Sequence, residues 1–168
     1  MAEMTISQAL RRIKKLKGQL AENLIRSQAG VSYRVGAPPA FAFTASVQKA
    51  DAIRQELVQL ESRLAVTNAT ARIDFHGDCP TIAFAIRQLQ ELKSQIAWYR
   101  ALPVRAHEET SEETWDYDEG GKHVRTQVPW KCDLPEEKRA TVVDDLQDQF
   151  DRLNDAVERA NHATVLMA

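Results

Sequence analysis

Cysteine is scarce in this chain: Cys79 and Cys132 are the only two. They make no disulfide framework and no four-ligand zinc pattern. Long apolar runs are missing as well, and none approaches the roughly 18–20 residues that a spanning helix needs. The opening stretch MAEMTISQALRRIKKLKG lacks the apolar centre of a secretory signal, so the expected compartment is the reducing cytoplasm. An excess of one charge is lacking too. At a net charge of −2 the chain as a whole is no magnet for a nucleic-acid polymer. No phosphate-binding glycine loop, Gly-x-Ser-x-Gly elbow or His-Glu-x-x-His occurs. These absences point away from a cofactor, a bound metal, a membrane partner and recognised catalytic residues.

What is present is globular. With 168 residues, 43% hydrophobic and 27% charged, the expectation is a single helical domain over 1–168 with a buried core. The charge is unevenly spread. The first helical pattern carries Arg11, Arg12, Lys14, Lys15 and Lys17, while HEETSEETWDYDEGG is strongly acidic. Both are first of all solvated faces, although one would fit against the other within or between subunits.

Hydrophobic spacing predicts four helices. Thr5 and Gln8 have the spacing of a capping box. Ile6, Leu10, Ile13, Leu16, Leu20 and Leu24 then mark a helix over 7–28. The glycines and paired prolines of AGVSYRVGAPPAFAFTAS interrupt it, with Phe41 and Phe43 expected to dock on the helices. A second helix over 46–68 uses Val47, Ala50, Ile53, Leu57, Leu60 and Leu64. After ARIDFHGD, Asp78 is the expected N-cap of a third helix over 79–102, with Pro80 in its first turn. Ala83, Ile86, Leu89, Leu92, Ile96 and Tyr99 form its stripe. The period then changes to alternation around Glu-Gly-Gly-Lys, which reads as a β-hairpin over 113–130. The fourth helix, 134–161, is expected to open at Asp133 with Glu136 completing a second capping box. The fold class is therefore mainly α: four long helices as two helical hairpins, with an inserted β-hairpin before the last helix. A slender bundle of this kind favours homo-oligomers.

Two helices end alike, in VTNATARI and RANHATVL. Asn tolerates the left-handed backbone that stops helices, and Thr bonds back to the chain, so simple termination accounts for both tails. Alternatively Asn68, Thr70, Asn161, His162 and Thr164 converge as neutral hydrogen-bonding groups around a base, ribose or amide. Phosphate would call for arginine, and Arg26, Arg34, Arg87 and Arg125 are the candidates. Arg87 flanks its apolar stripe, where pairing with Glu91 one turn away is the plain explanation. Tyr33, Trp115, Tyr117 and Trp130 lie outside the helical patterns, where aromatic rings either stack on a planar ligand or plug the hairpin onto the bundle. His76-Gly77-Asp78-Cys79 offers a thiol near a helix N-terminus, but a Cys–His enzyme also needs an oxyanion hole and a base within reach.

The helix-one tail NLIRSQ, the TNAT segment, AIRQLQELKSQI, VRTQV and the terminal NHATVL together follow a pattern that resembles the septicolysin-like family of bacteria and phages. The resemblance covers most of the chain through short, degenerate motifs. Thr70 stands one position early relative to the Asn161–Thr164 spacing, and the loop from Gly30 to Thr44 is longer and more aromatic than the pattern. The family is functionally uncharacterised. Its name suggests a cytolysin, yet this sequence offers no membrane-inserting segment.

The function expected from these features is a non-enzymatic, homo-oligomeric binding protein for a small anionic, nucleotide-like ligand. Small phage proteins that sequester nucleotide immune signals provide the architectural analogy. The expected ligand-binding residues are Arg26, Tyr33, Arg34, Asn68, Thr70, Arg87, Arg125, Trp130, Asn161, His162 and Thr164. The alternatives are a structural or protein-interaction module and a hydrolase that depends on Cys79 or His162.

Overall fold

The structure, a computed structural model, describes residues 3–104, 111–117, 119–129 and 132–167; for 111–116 and 124–129 it describes the backbone alone. The chain is mainly helical, with α1 (Ile6–Ala29), α2 (Phe43–Thr70), α3 (Ile82–Ala101) and α4 (Glu136–Ala163). Among the described residues no helix is long and apolar enough to cross a membrane. Between α3 and α4 the backbone of β1 (Ser111–Tyr117) pairs antiparallel with β2 (His123–Pro129), from Ser111↔Pro129 to Tyr117↔His123.

Helix α1 starts at a reciprocal cap. The Thr5 hydroxyl accepts from the Gln8 amide at 3.3 Å, and the Gln8 side chain accepts from the Thr5 amide at 3.0 Å. Two of the four amides left over at a helix start are thereby satisfied. Ile6 is fixed inward because its amide also donates to the Thr164 carbonyl at 3.0 Å. From Ile6 the helical period brings Ala9, Ile13 and Leu16 to the same buried face, followed by Asn23 and Ser27. Leu10, expected in the stripe, turns about 100° away from Ala9 and is 45% exposed. The two buried polar residues bond within their own helix. Asn23 donates to the Gln19 carbonyl at 2.8 Å and Ser27 to the Leu24 carbonyl at 2.7 Å, so neither leaves an unmet donor inside.

Helix α2 returns antiparallel along α1. The turn is tight at Gly30, where a Cβ would stand 3.1 Å from both the Phe41 carbonyl oxygen and the Phe43 amide, so a larger residue would need that backbone to give by a few tenths of an ångström. Phe41 and Phe43 do not bury as expected; they remain 49% and 45% exposed. Phe43 opens α2, and the Arg26 guanidinium lies 4.3 Å from the centre of the Phe41 ring. Arg12 grips Glu56 through two hydrogen bonds, 2.8 and 3.0 Å, and Lys17 pairs with Glu61 at 2.8 Å. These pairs are well exposed, so each contributes only about 0–1 kcal/mol. The α2 face turned inward is Ser46, Ala50, Leu57, Leu60 and Thr67.

The link from α2 to α3 is more ordered than its sequence suggests. It is a small β-like hairpin in which Phe75 and Asp78 exchange amide-to-carbonyl bonds, both 3.0 Å, and Ile73 donates to Pro80 at 3.0 Å. His76 at φ 52 and Gly77 at φ 84 form the two central positions, the signature of a tight type I′ turn. Asp78 is thereby held at a turn corner and does not cap α3. The cap is Thr81, whose hydroxyl accepts from the Phe84 amide at 3.2 Å. Cys79 correspondingly lies before the helix, exposed, with its carbonyl accepting from Arg72 at 2.7 Å. The expected box at the start of α4 is also displaced. Glu136 is the first helical residue, so it cannot serve as the third one, and the Pro135 carbonyl receives the Arg139 amide at 2.9 Å.

The chain forms two compact units, Met1–Arg87 with Asn154–Ala168, and Gln88–Leu153. The first is built on Ile6, Leu16, Ile82 and Leu166, and the second on Leu92, Ile96, Val143 and Leu153, all nearly closed to solvent.

Candidate functional site

The two similar tails meet in the first unit, through hydrogen bonds of their own. After α4 the segment from Thr164 runs extended beside the N-terminal residues. The Leu166 amide donates to the Met4 carbonyl at 2.8 Å, alongside the Ile6–Thr164 bond, and Thr5 faces Val165 across an antiparallel bridge. The same segment reaches the end of α2. The Met167 amide donates to the Thr67 hydroxyl at 3.0 Å, and Arg63 donates to the Met167 carbonyl at 2.7 Å. Thr67 is fully buried and its hydroxyl donates to the Arg63 carbonyl at 2.8 Å. Thr70 donates back to the Val66 carbonyl at 2.8 Å and lies 3.2 Å from the Met167 sulfur.

Of the expected site residues, Thr70 and Thr164 are thus engaged in joining chain segments. Asn68 has a buried side-chain oxygen that accepts no hydrogen bond from any described residue. Asn161 is half-buried near the end of α4. His162 lies along an open cleft of about 480 Å³ whose described lining is Asp155, Glu158, Arg159, His162 and Ala163. Two carboxylates and one arginine share that face, so it selects poorly for an anion. Arg87 is exposed on α3.

Arg26, Tyr33 and Arg34 belong elsewhere. They cluster at the α1–α2 turn, the far end of α1 from Thr5. A helix of 24 residues separates its ends by roughly 35 Å, more than one mononucleotide spans. Arg26 is also engaged, paired with Glu22 and stacked on Phe41. Tyr33 is 59% exposed. A single site from all the expected residues therefore does not assemble within one chain. Trp130 and the side chains of Arg125 and Trp115 lie outside the described residues.

The second unit holds a cleft that sequence reasoning passed over. Lys93, Ile96, Ala97 and Arg100 of α3 line it with Gln147 and Phe150 of α4, around a volume of about 310 Å³. Its floor is apolar: Ile96 is buried and Phe150 half-buried. Its rim is cationic. Lys93 and Arg100 are seven residues apart on one helix, about two turns or roughly 10 Å along the axis. Gln147 is oriented from both sides, accepting from Arg100 at 3.4 Å and donating to Asp151 at 3.1 Å. Arg139 fixes the two helices locally. It donates to the carbonyls of Arg100 and Leu102 at 3.3 and 3.2 Å, satisfying the end of α3, and to Glu136 at 2.5 Å. The sequence signal was there in LKSQIAWYR, a lysine and an arginine two turns apart with an isoleucine between, but such spacing also describes any solvated helix face.

Among the described residues no group of three or more His, Cys, Asp or Glu side chains could hold a metal ion. No family model, curated protein or solved structure matches the chain.

Proposed function

We propose that the chain is a binding protein for a small anionic, nucleotide-like ligand, held in the α3–α4 cleft rather than at the helix tails. The supporting observation is the pairing of two cations, Lys93 and Arg100, with an apolar floor of Ile96 and Phe150. A planar base would lie on that floor, phosphate oxygens would meet the cations, and the Gln147 amide would read the polar edge. The proposed role is sequestration rather than turnover: neither Cys79 nor His162, the two residues on which a hydrolase was expected to depend, is among the described residues that line the cleft. The septicolysin-like resemblance is part of the same proposal and assigns no residue role.

Calorimetry with a panel of mononucleotides, cyclic nucleotides and ADP-ribose derivatives is the test. Binding is expected with at least one. Arg100→Gln should weaken it by about ten- to a hundredfold, the loss of a charge-assisted hydrogen bond of about 1.5–3 kcal/mol. The ligand should be recovered intact after the protein is heat-denatured. No heat with any compound, or an affinity unchanged in Arg100→Gln, would sink the assignment.

A second reading, a protein-interaction module, draws on the opposite kind of surface. Ile25, Val31, Tyr33, Val35, Phe41 and Phe43 are all exposed around the α1–α2 turn, Val35 completely. So many large apolar groups in one place mark contact surfaces more often than solvent-facing ones. Replacing Val35 and Phe41 with serine should then abolish capture of a specific partner while leaving nucleotide binding intact.

A further inference from the structure

We infer that two copies of this chain associate by docking the basic face of α1 of one copy against the acidic face of α4 of the other. Helix α1 carries six Lys and Arg residues and one Glu. Arg12 and Lys17 on its flank are neutralised by Glu56 and Glu61 of α2. Arg11, Lys14 and Lys15 are not: all three are exposed, and no ion pair joins them to a described residue. Helix α4 presents the matching sign. Asp144, Asp148, Asp151 and Asp155, spaced four, three and four, share one exposed face. Of these only Asp148 has an ion pair among the described residues, to Arg152 at 3.9 Å.

A second, independent feature marks the same face of α1. Gly18 lies three and four residues after Lys15 and Lys14, in mid-helix, where a Cβ would meet nothing within 4 Å. Glycine is a poor helix former, and neither packing nor backbone conformation among the described residues requires it at this position. A residue without a side chain lets a second helix approach closely at that point, at the near end of the usual 8–10 Å between axes, with Arg11, Lys14 and Lys15 reaching around it. The occupant is a second copy because the chain itself carries an acidic stripe of helical pitch, opposite in sign to the basic face of α1.

Sedimentation equilibrium of the full chain tests this. Association is expected at about 0.1 M salt and should be strongly reduced at about 1 M, where the screening length falls from about 10 Å to about 3 Å. Lys14→Glu with Lys15→Glu should give a monomer, as should Asp144→Lys with Asp148→Lys. Mixing those two double variants should restore association, because each then offers the other its unaltered face. Gly18→Gln should raise helix stability yet weaken association, a combination that a merely structural glycine would not produce. All these sites are exposed, so circular dichroism should show each variant folded. A wild-type chain that stays monomeric overturns the inference, as does association indifferent to both charge reversals. A monomer that binds a polyanion through Lys14 and Lys15 would overturn it too, assigning the basic face to that polymer.

Discussion

Thr67 shows how much one hydroxyl contributes here. It is fully buried, donates to the Arg63 carbonyl and accepts the Met167 amide. Thr67→Val keeps the shape and removes both bonds, leaving the Met167 amide without that acceptor. The expected loss is about 1–3 kcal/mol, read as a lower urea midpoint with an unchanged slope. In the sequence Thr67 was only part of a helix-stop pattern. What distinguishes it from Thr70, which is exposed, bonds back within its own helix and reaches the Met167 sulfur, is full burial together with a backbone amide 100 residues away as its partner. No local pattern carries that information. The buried Asn23 and Ser27 were missed for a related reason: a polar residue in the stripe looks like a break in the stripe until its back-bond to the preceding turn is seen.

Among the elements, the four helices were legible because apolar residues recur every three or four positions. Their rotation and starting points were less so. In α1 the stripe is set by Ile6, held inward by its bond to Thr164, and Leu10 lost its expected place to Ala9. At α3 two residues competed to cap. Asp78 has the better cap chemistry, but His76 and Gly77 form a tight turn that binds Asp78 into the hairpin. The two possibilities separate experimentally. Thr81→Ala should destabilise the fold by about 1 kcal/mol, the usual cost of a lost N-cap, whereas Asp78→Ala, whose contacts there are through the backbone, should cost clearly less. Thermal melts of the pair decide it. The cleft of α3 and α4 was illegible for another reason. Lys93 and Arg100 become a site only when Phe150 and Gln147 are placed opposite them, and that pairing is tertiary.

At the scale of the molecule, the decisive contacts are long-range. Leu166 is 4% exposed, beside the N-terminal residues that its own amide contacts. Leu166→Ala should therefore cost about 2–5 kcal/mol, as for other large-to-small changes in a core. An equal change at exposed Val165 should cost much less. Equilibrium denaturation of the two variants compares a core position with a surface one on the same extended segment. A small effect at Leu166 would mean that the segment only rests on the first unit.

That segment also bears on the order in which the chain is made. Arg63 holds the Met167 carbonyl across 104 residues, and Met4 receives the Leu166 amide. A growing chain can wind α1 against α2 early, through local contacts, but the seam at Met4–Ile6 stays open until residues 164–167 have left the ribosome. Until then it presents unpaired backbone, the kind of edge other chains adhere to. A nascent chain stalled within α4 should therefore be a better chaperone substrate than one from which residues 164–167 have emerged, and the docking of that short segment would itself be the step that seals the fold.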